Sequence, residues 1–487
     1  MAPGRIMATV RIGLPAAGLL AMLLATACTA YHAAPLDPSE HVARHNQRGG
    51  SDSALVAYLR TYGTSADGAW TPAALALTAL FYGPSLDVLR ANRAETLAAE
   101  HSAGIRPAPG LTADIDRGFS NGGGSSPWGV AFAPTFTIET GGKRGARIAL
   151  ARARTAMAEA GIRAEAWRAM ATVRRSTIDA ATADRDIQFA TSERDAQDSL
   201  HRQLQWKFEE GTVTRAELAR SATDLQQTQA DLAAAVRLRA DAYGTVARAA
   251  GLAPEALEDA GIRADSFGVA AGCLPLAAIA HDSLQRLGLA SHWEVAMALH
   301  RYATTEAAVR LEVARQHPDL TLGPGLFFDH GVARWAISFL VPSILLRHNN
   351  GPIEEAEAAR SGAAAEVAVV QDSILADLDQ ALSLCRRTRF DRASADSLAG
   401  AADAQYGVAA DAYQRGETSR SDLLFARVAQ ARAQRIAALA EQRAARASAE
   451  LELALGLWRT GAPARWPDPA LSPHAEAPLS QRSGAAP

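Results

Sequence analysis

The sequence predicts a mainly α-helical protein with membrane-crossing β-strands, built from two copies of one strand–strand–long helix–helix unit. Three observations predict this class. A short motif recurs 205 residues further along the chain, two pairs of segments alternate apolar with small or polar residues, and a long proline-free stretch follows each pair. Internal repetition at a long period indicates that one structural unit is used twice.

The N-terminus has the features of an export signal. Residues 1–27 carry Arg5 and Arg11 before an apolar run over 12–27, and Cys28 follows directly. A basic start, a short apolar run and small residues before a cleavage site are typical of secretory signal peptides. The order of residues before Cys28 resembles a bacterial lipoprotein signal, which predicts that Cys28 is lipidated and that residues 28–50 form a tether. An ordinary signal peptide with an incidental cysteine is the alternative.

Composition narrows the function classes. The 487 residues carry a formal net charge of -3, so bulk charge gives no reason to expect nucleic-acid binding. Beyond Cys28 the chain has Cys273 and Cys385. Two cysteines do not make a disulfide framework, and we expect both to be free. No His-Glu-x-x-His or Cys-x-x-Cys motif occurs, and no catalytic residue, metal site or cofactor is predicted.

The first unit is assigned to residues 51–258. Residues 51–101 have a helical pattern, interrupted near Gly68 and at Gly83. A β-hairpin is predicted at about 109–139, because the residues from Trp128 alternate in the way of a strand with one apolar face. A helical hairpin is predicted at about 145–250, where strong helix formers dominate. Its first helix, of about 60 residues, would be roughly 90 Å long.

The second unit, residues 259–460, follows the same plan. A β-hairpin is predicted at about 318–342, with Trp335 in the place of Trp128, and a helical hairpin at about 352–456. Helices of this length are typical of antiparallel coiled coils. Residues 461–487 are rich in proline, alanine and serine and are predicted to be a disordered tail.

Four strands of membrane-crossing length cannot close a barrel within one chain. Strands of about 10 residues can cross a bilayer when tilted, and closed membrane barrels need about eight or more of them. Edge strands in lipid would leave backbone groups without hydrogen bonds. Identical chains must therefore pool their strands around a closed symmetry axis, and the small and polar inner faces predict a pore.

Specific motifs carry a resemblance to a known family. Residues 140–147 (TGGKRGAR) follow the first β-hairpin, residues 347–353 (RHNNGPI) follow the second, and Gly211 and Gly416 occupy paired turns. In order and doubling these elements resemble the TolC family of outer-membrane efflux proteins, and most closely its CzcC-type heavy-metal branch.

The resemblance implies an architecture and partners. A TolC-like protomer would form a homotrimer with a twelve-stranded barrel and a periplasmic helical tunnel. It would be the passive outer-membrane channel of a tripartite efflux system, in contact with outer-membrane lipid, a periplasmic adaptor and an inner-membrane pump of the RND type. The heavy-metal branch would imply divalent cations as substrates. The chain itself would not be an enzyme.

The resemblance also implies site residues. The turns at the ends of the helical hairpins are expected to dock an adaptor. The alternative is purely structural, because glycine and a capping hydroxyl are also needed to form such turns. The turn residues are Gly211, Thr212, Val213, Thr214, Gly416, Glu417, Thr418 and Ser419.

A second set is expected at the pore entrance. Asp422, with its repeat mate Glu217, would form an acidic ring, and a solvated helix N-terminus is the alternative. Tyr413 would tether the closed state, and Phe425 would narrow the entrance as an apolar plug; simple aromatic packing is the alternative for Tyr413. Trp128 and Trp335 are expected at membrane interfaces, where aromatic residues are common, and simple packing of the rings is the alternative.

Two rival classes are open at the sequence level. A periplasmic coiled-coil adaptor or scaffold without a barrel would explain the export signal and the helices, but not two β-hairpins with apolar faces. A secreted enzyme is the other rival, since a Ser/His/Asp triad need not be contiguous in sequence.

Overall fold

The computed structural model describes residues 31, 33–65, 68–118, 127–258, 261–262, 273, 279–329, 332–341, 349–458, 462–463, 465–471 and 473. The signal peptide, Cys28, the loop at 119–126 and the end of the chain from residue 474 lie outside them. The chain divides into a unit up to Gln47 and a unit from Arg48 onward. The first contains helix α1 (Pro38–Asn46), within the stretch predicted to be a tether.

Three helices open the part of the chain from Arg48 onward, which contains both repeats. They are α2 (Ser53–Thr61), α3 (Pro72–Tyr82) and α4 (Pro84–Ala103), with breaks at the predicted places. Every residue of α3 is buried, because it packs into an aromatic and aliphatic core together with Trp70, Trp167 and Tyr243. Among the described residues no single helix is long and apolar enough to cross a membrane, although α3 and α4, bent by 47° at their junction, pass that test as a pair.

One four-stranded antiparallel sheet contains both predicted β-hairpins. The strands β1 (Gly110–Arg117), β2 (Trp128–Ile138), β3 (Leu320–Asp329) and β4 (Val332–Leu340) lie side by side in chain order. The pairing of β2 with β3 joins the two units, with Phe132 opposite Leu326 and Phe136 opposite Leu322. Strands β1 and β4 form the two edges of the sheet.

A helical hairpin follows each β-hairpin. The first consists of α5 (Lys143–Glu209) and α6 (Arg215–Ala250). The second, preceded by the short α7 (Glu255–Glu258) and by α8 (His281–Ser291) and α9 (Trp293–Ala314), consists of α10 (Asn350–Gln414) and α11 (Arg420–Ala454). With 67 and 65 residues, α5 and α10 are each about 100 Å long at the usual helical rise. The duplicated strand–strand–helix–helix order is thus confirmed.

The backbone repeats as well as the sequence. Left-handed residues occur at matching places in the two units: Gly142 and Asn349 before the long helices, Gly211 and Gly416 at the hairpin turns, and Gly251 and Gly456 after the shorter helices. Asn349 is the non-glycine member of the set, and its amide donates to the carbonyl oxygen of Glu312 at 2.8 Å. A side-chain amide of this kind helps asparagine to adopt the left-handed conformation.

The helices pack side by side in a layer, and the long helices α5 and α10 extend along the whole of it. Helix α5 contacts α6 and α11 on its two sides, and α10 contacts α11. Helix α9 also contacts both α5 and α10, and it begins where α11 ends, since Ser291 Oγ donates to the carbonyl oxygen of Leu455 at 2.5 Å. Helices α11 and α9 therefore occupy successive parts of the space between the two long helices.

Two expectations from the sequence are wrong. Cys273 and Cys385 are not free but form a disulfide, with their Cα atoms 5.8 Å apart. Part of the tail is packed rather than disordered: the Trp466 ring lies 5.3 Å from that of Trp458, and Arg90 Nε donates to the carbonyl oxygen of Pro469 at 3.1 Å. Cys385 is 112 residues from Cys273 and Arg90 is 379 residues from Pro469, so local composition carries no signal of either contact.

Candidate functional site

The turn between α5 and α6 is a compact capped structure. Gly211 has φ 70, and the N–H of Thr212 donates to the carbonyl oxygen of Lys207 at 2.9 Å. This is the geometry of a helix ended by a left-handed glycine. Thr214 caps α6: its hydroxyl accepts from the N–H of Glu217 at 3.2 Å, and the Glu217 carboxylate accepts from the N–H of Thr214 at 2.8 Å. The predicted capping role of Thr214 is confirmed.

The turn between α10 and α11 has the same construction. Gly416 has φ 76, and the N–H of Glu417 donates to the carbonyl oxygen of Ala412 at 2.9 Å. Ser419 caps α11, and the Asp422 carboxylate accepts from its N–H at 3.1 Å and its hydroxyl at 2.6 Å. A side chain at Gly211 or Gly416 would meet nothing within 4 Å, so the backbone conformation alone demands glycine there.

The two acidic residues of the predicted entrance are held by their own helix caps. The pKa of Asp422 is lowered first by the Ser419 hydroxyl, then by the Ser419 N–H and the Thr418 hydroxyl. The pKa of Glu217 is lowered mainly by the N–H of Thr214. Both side chains are exposed, and both stay ionised near neutral pH. The arrangement is that of a capping box at a helix N-terminus, and each carboxylate keeps lone pairs toward solvent.

One contact joins the two turns. Lys207, one of the two lysines in the sequence, donates from Nζ to Ser421 Oγ at 2.5 Å. Ser421 is buried, and its hydroxyl lies 2.8 Å from that of Ser419, which binds Asp422. The last turn of α5 is therefore linked through two hydroxyls to the acidic cap of α11. Sequence reasoning missed this link, for which the scarcity of lysine is the only signal.

The aromatic residues of the two turns are largely exposed. Phe425, Tyr413 and Phe208 are 53%, 42% and 39% exposed. Within the described part of this single chain, the Tyr413 hydroxyl has no hydrogen-bond partner. Beside them, a groove of about 590 Å³ is lined by Ser199, Arg202, Gln203, Trp206 and Arg420. The ends of the hairpins thus present aromatic and basic surface.

The seam between α5 and α11 is built from ion pairs that sequence reasoning did not find. Arg174 contacts Glu452 at 2.7 Å, and both side chains are buried, with 6% and 7% exposure. Further pairs continue along the two antiparallel helices; they are Arg175–Glu450, Arg446–Asp179, Arg185–Glu441, Arg435–Asp186 and Arg432–Glu193. The position of one hairpin against the other is therefore determined by charge as well as by apolar contact.

The four-stranded sheet lies at the ends of the long helices that are opposite the hairpin turns. Its apolar face is exposed in the single chain: Trp128 is 50%, Phe136 46%, Trp335 74% and Phe339 67% exposed. In the first β-hairpin, small and acidic residues share the other face, since Asp116 pairs with Gly129 and Asp114 with Ala131. Trp128 and Trp335 both lie toward the loop ends of the β-hairpins, away from the helices.

The connection from the sheet to α5 is stabilised inside the chain. Lys143 Nζ contacts Asp319 Oδ1 at 2.7 Å, and Arg147 Nη1 contacts Glu139 Oε1 at 2.5 Å. These pairs tie the start of the first long helix to the ends of β2 and to the residue before β3. The basic residues of this turn are therefore used for the strand-to-helix junction.

Comparisons with known proteins identify the fold. Residues 79–252 match the model of a family described as outer membrane efflux protein. The structure is similar to the outer-membrane channel OprN, with a TM-score of 0.62 and 16% identity over 88% of this chain and 99% of that one. The chain has the TolC-like channel fold. No curated protein matches the sequence.

Other TolC-like structures agree with this assignment. CusC gives a TM-score of 0.61 at 14% identity, covering 82% of this chain and 96% of its own. VceC, an outer membrane protein of Vibrio cholerae, gives 0.61 at 18% identity, covering 78% and 95%. Identities this low show the fold alone, so the heavy-metal branch stays a prediction.

Proposed function

We propose that the chain is the outer-membrane channel of a tripartite efflux system, a passive trimeric exit duct. An inner-membrane pump, of the RND type by resemblance, would deliver substrates through a periplasmic adaptor. The single observation that carries the proposal is the four-stranded sheet with an exposed apolar face, joined directly to two helical hairpins about 100 Å long. A soluble scaffold does not require a sheet with an exposed apolar face.

The sheet supports insertion into lipid as part of a closed assembly. Its strands of 8 to 11 residues are suited to crossing a bilayer at a tilt. Its two edge strands require partners, because lipid supplies no hydrogen bonds to backbone groups. Three chains give twelve strands, the number that the resemblance implies. Trp128 and Trp335 then lie toward the outer interface of the membrane.

The inner face supports a water-filled pore. Asp114 and Asp116 lie on the face that also carries Gly129, Ala131 and Ala133. Arg334 shares this face, in the row of Asp114, so each chain would bring two aspartates and one arginine to the axis near the outer end, and three copies would leave an excess of acidic groups there. Such rings favour cations, so the channel is expected to prefer them.

The hairpin turns support two roles at the opposite end. Their matching capping boxes and exposed aromatic residues suit docking of an adaptor's helices. The ionised Asp422, with Glu217, would contribute acidic rings at the entrance, where Phe425 narrows the passage and Tyr413 tethers it. The lipid anchor at Cys28 and a substrate range of divalent metal cations complete the proposal as expectations from the sequence.

Purification of the full chain from membranes tests the channel. We expect a detergent-stable trimer that produces discrete conductance steps in planar lipid bilayers. A monomer in detergent without conductance would refute the proposal. Recovery in the soluble fraction after detergent-free extraction would favour the scaffold instead. Deletion of the gene, with sensitivity measured to zinc, cobalt, copper and a drug panel, tests the substrate class.

The entrance ring has its own test. Asp422→Asn is expected to shift the reversal potential under a salt gradient toward lower cation preference. Glu417→Gln is the matched control, since Glu417 lies in the same turn but is paired with Arg415 at 2.8 Å. Equal reversal potentials for both variants and the wild type would place Asp422 outside the conduction path.

A further inference from the structure

The layer of long helices ends at two open edges. Its helices contact one another in the order α6, α5, α11, α10, and the sheet has β1 and β4 at its edges. In both cases one edge belongs to the first repeat unit and the other to the second. Within the chain the two units are joined by β2 with β3 and by α5 with α11. A second copy can repeat both contacts at the edges, by placing its β1 against β4 and its α6 against α10.

The duplication gives the residues of such a helix contact. A shift of 205 residues carries Gly211 onto Gly416, and with it α5 onto α10 and α6 onto α11. Each contact between α5 and α11 within the chain therefore predicts a contact between α10 and α6 of a neighbouring copy. The ion pair Arg185–Glu441 corresponds in this way to Phe390 facing Val236 of the neighbouring copy.

These two apolar side chains are exposed in the single chain. Phe390 is 74% exposed and Val236 is 51% exposed, although their helices pack against α11 and α5 on other faces. Contact between them would remove apolar surface from water, which is favourable. The shift thus brings together two exposed apolar side chains at a position where the contact within the chain is an ion pair.

Charged residues flank this apolar contact on both helices. The same shift takes residues that contact each other between α5 and α11 onto Arg387 and Asp391 of α10 and onto Arg237 and Asp241 of α6. All four are exposed or reach solvent, and none is in an ion pair within the described part of the chain. On each helix the arginine precedes the aspartate by about one turn. Because the two helices would be antiparallel, each arginine comes near the aspartate of the other helix.

Side chains in the equivalent seam reach far enough for such crossed pairs. Arg185 and its neighbour Asp186 contact Glu441 and Arg435, which are more than one turn apart on α11. An arginine on α10 or α6 can therefore reach an aspartate about one turn away from the residue that faces it. The charges of the two edges are complementary in this arrangement.

We propose that α10 of one copy binds α6 of a second copy through a cross-chain seam centred on Phe390 and Val236 of the neighbouring copy. Two crossed ion pairs flank this contact: Arg387 with Asp241 of the neighbouring copy, and Asp391 with Arg237 of the neighbouring copy. The proposal rests on the proposed function, which requires copies of the chain to close a tube, and it names the residues that join them.

The seam within the chain and the cross-chain seam reject each other's partners. Arg174 faces Glu452 within the chain, and both side chains are buried. If α10 took the place of α5 against α11, Asp379 would face Glu452, and two acidic groups would repel each other. If α6 of another copy took the place of α11 against α5, Arg174 would face Ala247 of that copy and lose its partner. Unfavourable charge in the wrong pairing thus distinguishes two similar helical hairpins.

Cysteine pairs test the register on the full chain, purified in detergent and first assessed for trimer formation by light scattering. Val236→Cys/Phe390→Cys is oxidised with copper phenanthroline and run on a non-reducing gel. We expect chains linked covalently into dimers and trimers, and no link in either single variant. Gln227→Cys/Leu398→Cys, a second pair that the shift predicts, should also link. Val236→Cys/Leu398→Cys, about two turns out of register, is the matched control and should stay unlinked.

Charge reversal tests the crossed ion pairs. Asp241→Arg is expected to lower the temperature at which the trimer dissociates on a gel, and Arg387→Asp/Asp241→Arg should recover most of that shift. Arg389→Asp is the matched control and should leave the temperature unchanged. Its equivalent Asp184 contacts α6 rather than α11, so position 389 lies outside the cross-chain seam. If Arg387→Asp alone raises the temperature, Arg387 lies beside Arg237 of the neighbouring copy and the crossed pairs are wrong.

The outcomes separate the seam from the channel. A trimer in which neither predicted cysteine pair links, or in which the out-of-register pair links equally well, overturns the cross-chain seam and leaves the proposed function standing. A chain that forms no trimer overturns both.

Discussion

The buried pair Arg174–Glu452 offers a quantitative test of how the two helical hairpins are held together. It joins α5 of the first unit to α11 of the second, at 2.7 Å, and the Arg174 guanidinium also lies 5.1 Å from the centre of the Trp458 ring. Burial lowers the pKa of Arg174, and Glu452 opposes that shift. Arg174→Met keeps most of the aliphatic stem while removing the charge, and so leaves Glu452 without its guanidinium.

The expected cost follows from burial. Removing one partner of a buried ion pair typically costs about 3–5 kcal/mol, whereas an exposed pair contributes about 0–1 kcal/mol. Arg415–Glu417 provides the matched control, because its side chains are 58% and 57% exposed at a similar distance. We expect Arg174→Met to lower the free energy of unfolding by about 3 kcal/mol more than Arg415→Met does. Replacing both Arg174 and Glu452 with apolar residues should restore most of the loss.

Unfolding by guanidinium chloride in detergent, monitored by tryptophan fluorescence, measures these differences in the free energy of unfolding. Trp458 lies over Arg174 and should report the local environment of the pair. If Arg174→Met and Arg415→Met lower the free energy of unfolding equally, the Arg174–Glu452 pair is solvated in solution and the inference from burial is wrong. If the double apolar variant is the least stable of the set, the pair contributes net stability, contrary to the usual balance between desolvation and attraction.

Three further predictions concern the hairpins. Gly416→Ala should destabilise the folded protein by about 1 kcal/mol, because Gly416 has a left-handed backbone conformation. Gly407→Ala, inside α10 with free space around it, should instead stabilise the folded protein by about 0.5–1 kcal/mol. Thermal unfolding compares the two variants, and a change of the same sign in both would contradict the argument. Lys207→Met should loosen the contact with Ser421 and raise the frequency of open-channel events in bilayers, with Lys207→Arg as the conservative control. Burial raises the pKa of Tyr243 to about 12. The contribution of the neutral Tyr243 to the free energy of unfolding should therefore be fully present below the ordinary tyrosine pKa and should be lost as the pH rises toward 12. Tyr243→Phe should make this fall smaller when unfolding is measured as a function of pH.

Much of the architecture could be predicted from local patterns. Alternation of side chains from Trp128 predicts a strand because the two faces of a sheet meet different surroundings, and β2 begins there. Gly211 and Gly416 predict turns because the left-handed conformation is costly for other residues, and both glycines adopt it. The capping residues Thr214 and Ser419 follow from the same local chemistry.

The sequence by itself therefore determined the duplication, the strands, the long helices and their capped turns, because each depends on residues within a few positions of one another. Only the tertiary structure decided the long-range contacts, namely the pairing of β2 with β3, the Arg174–Glu452 seam, the Lys207–Ser421 link and the Cys273–Cys385 bond. Each joins residues more than 100 positions apart, and many arginines and acidic residues along α5 and α11 are equally plausible partners by sequence. Which of them meet depends on the register between packed helices, and that register is a property of the whole fold.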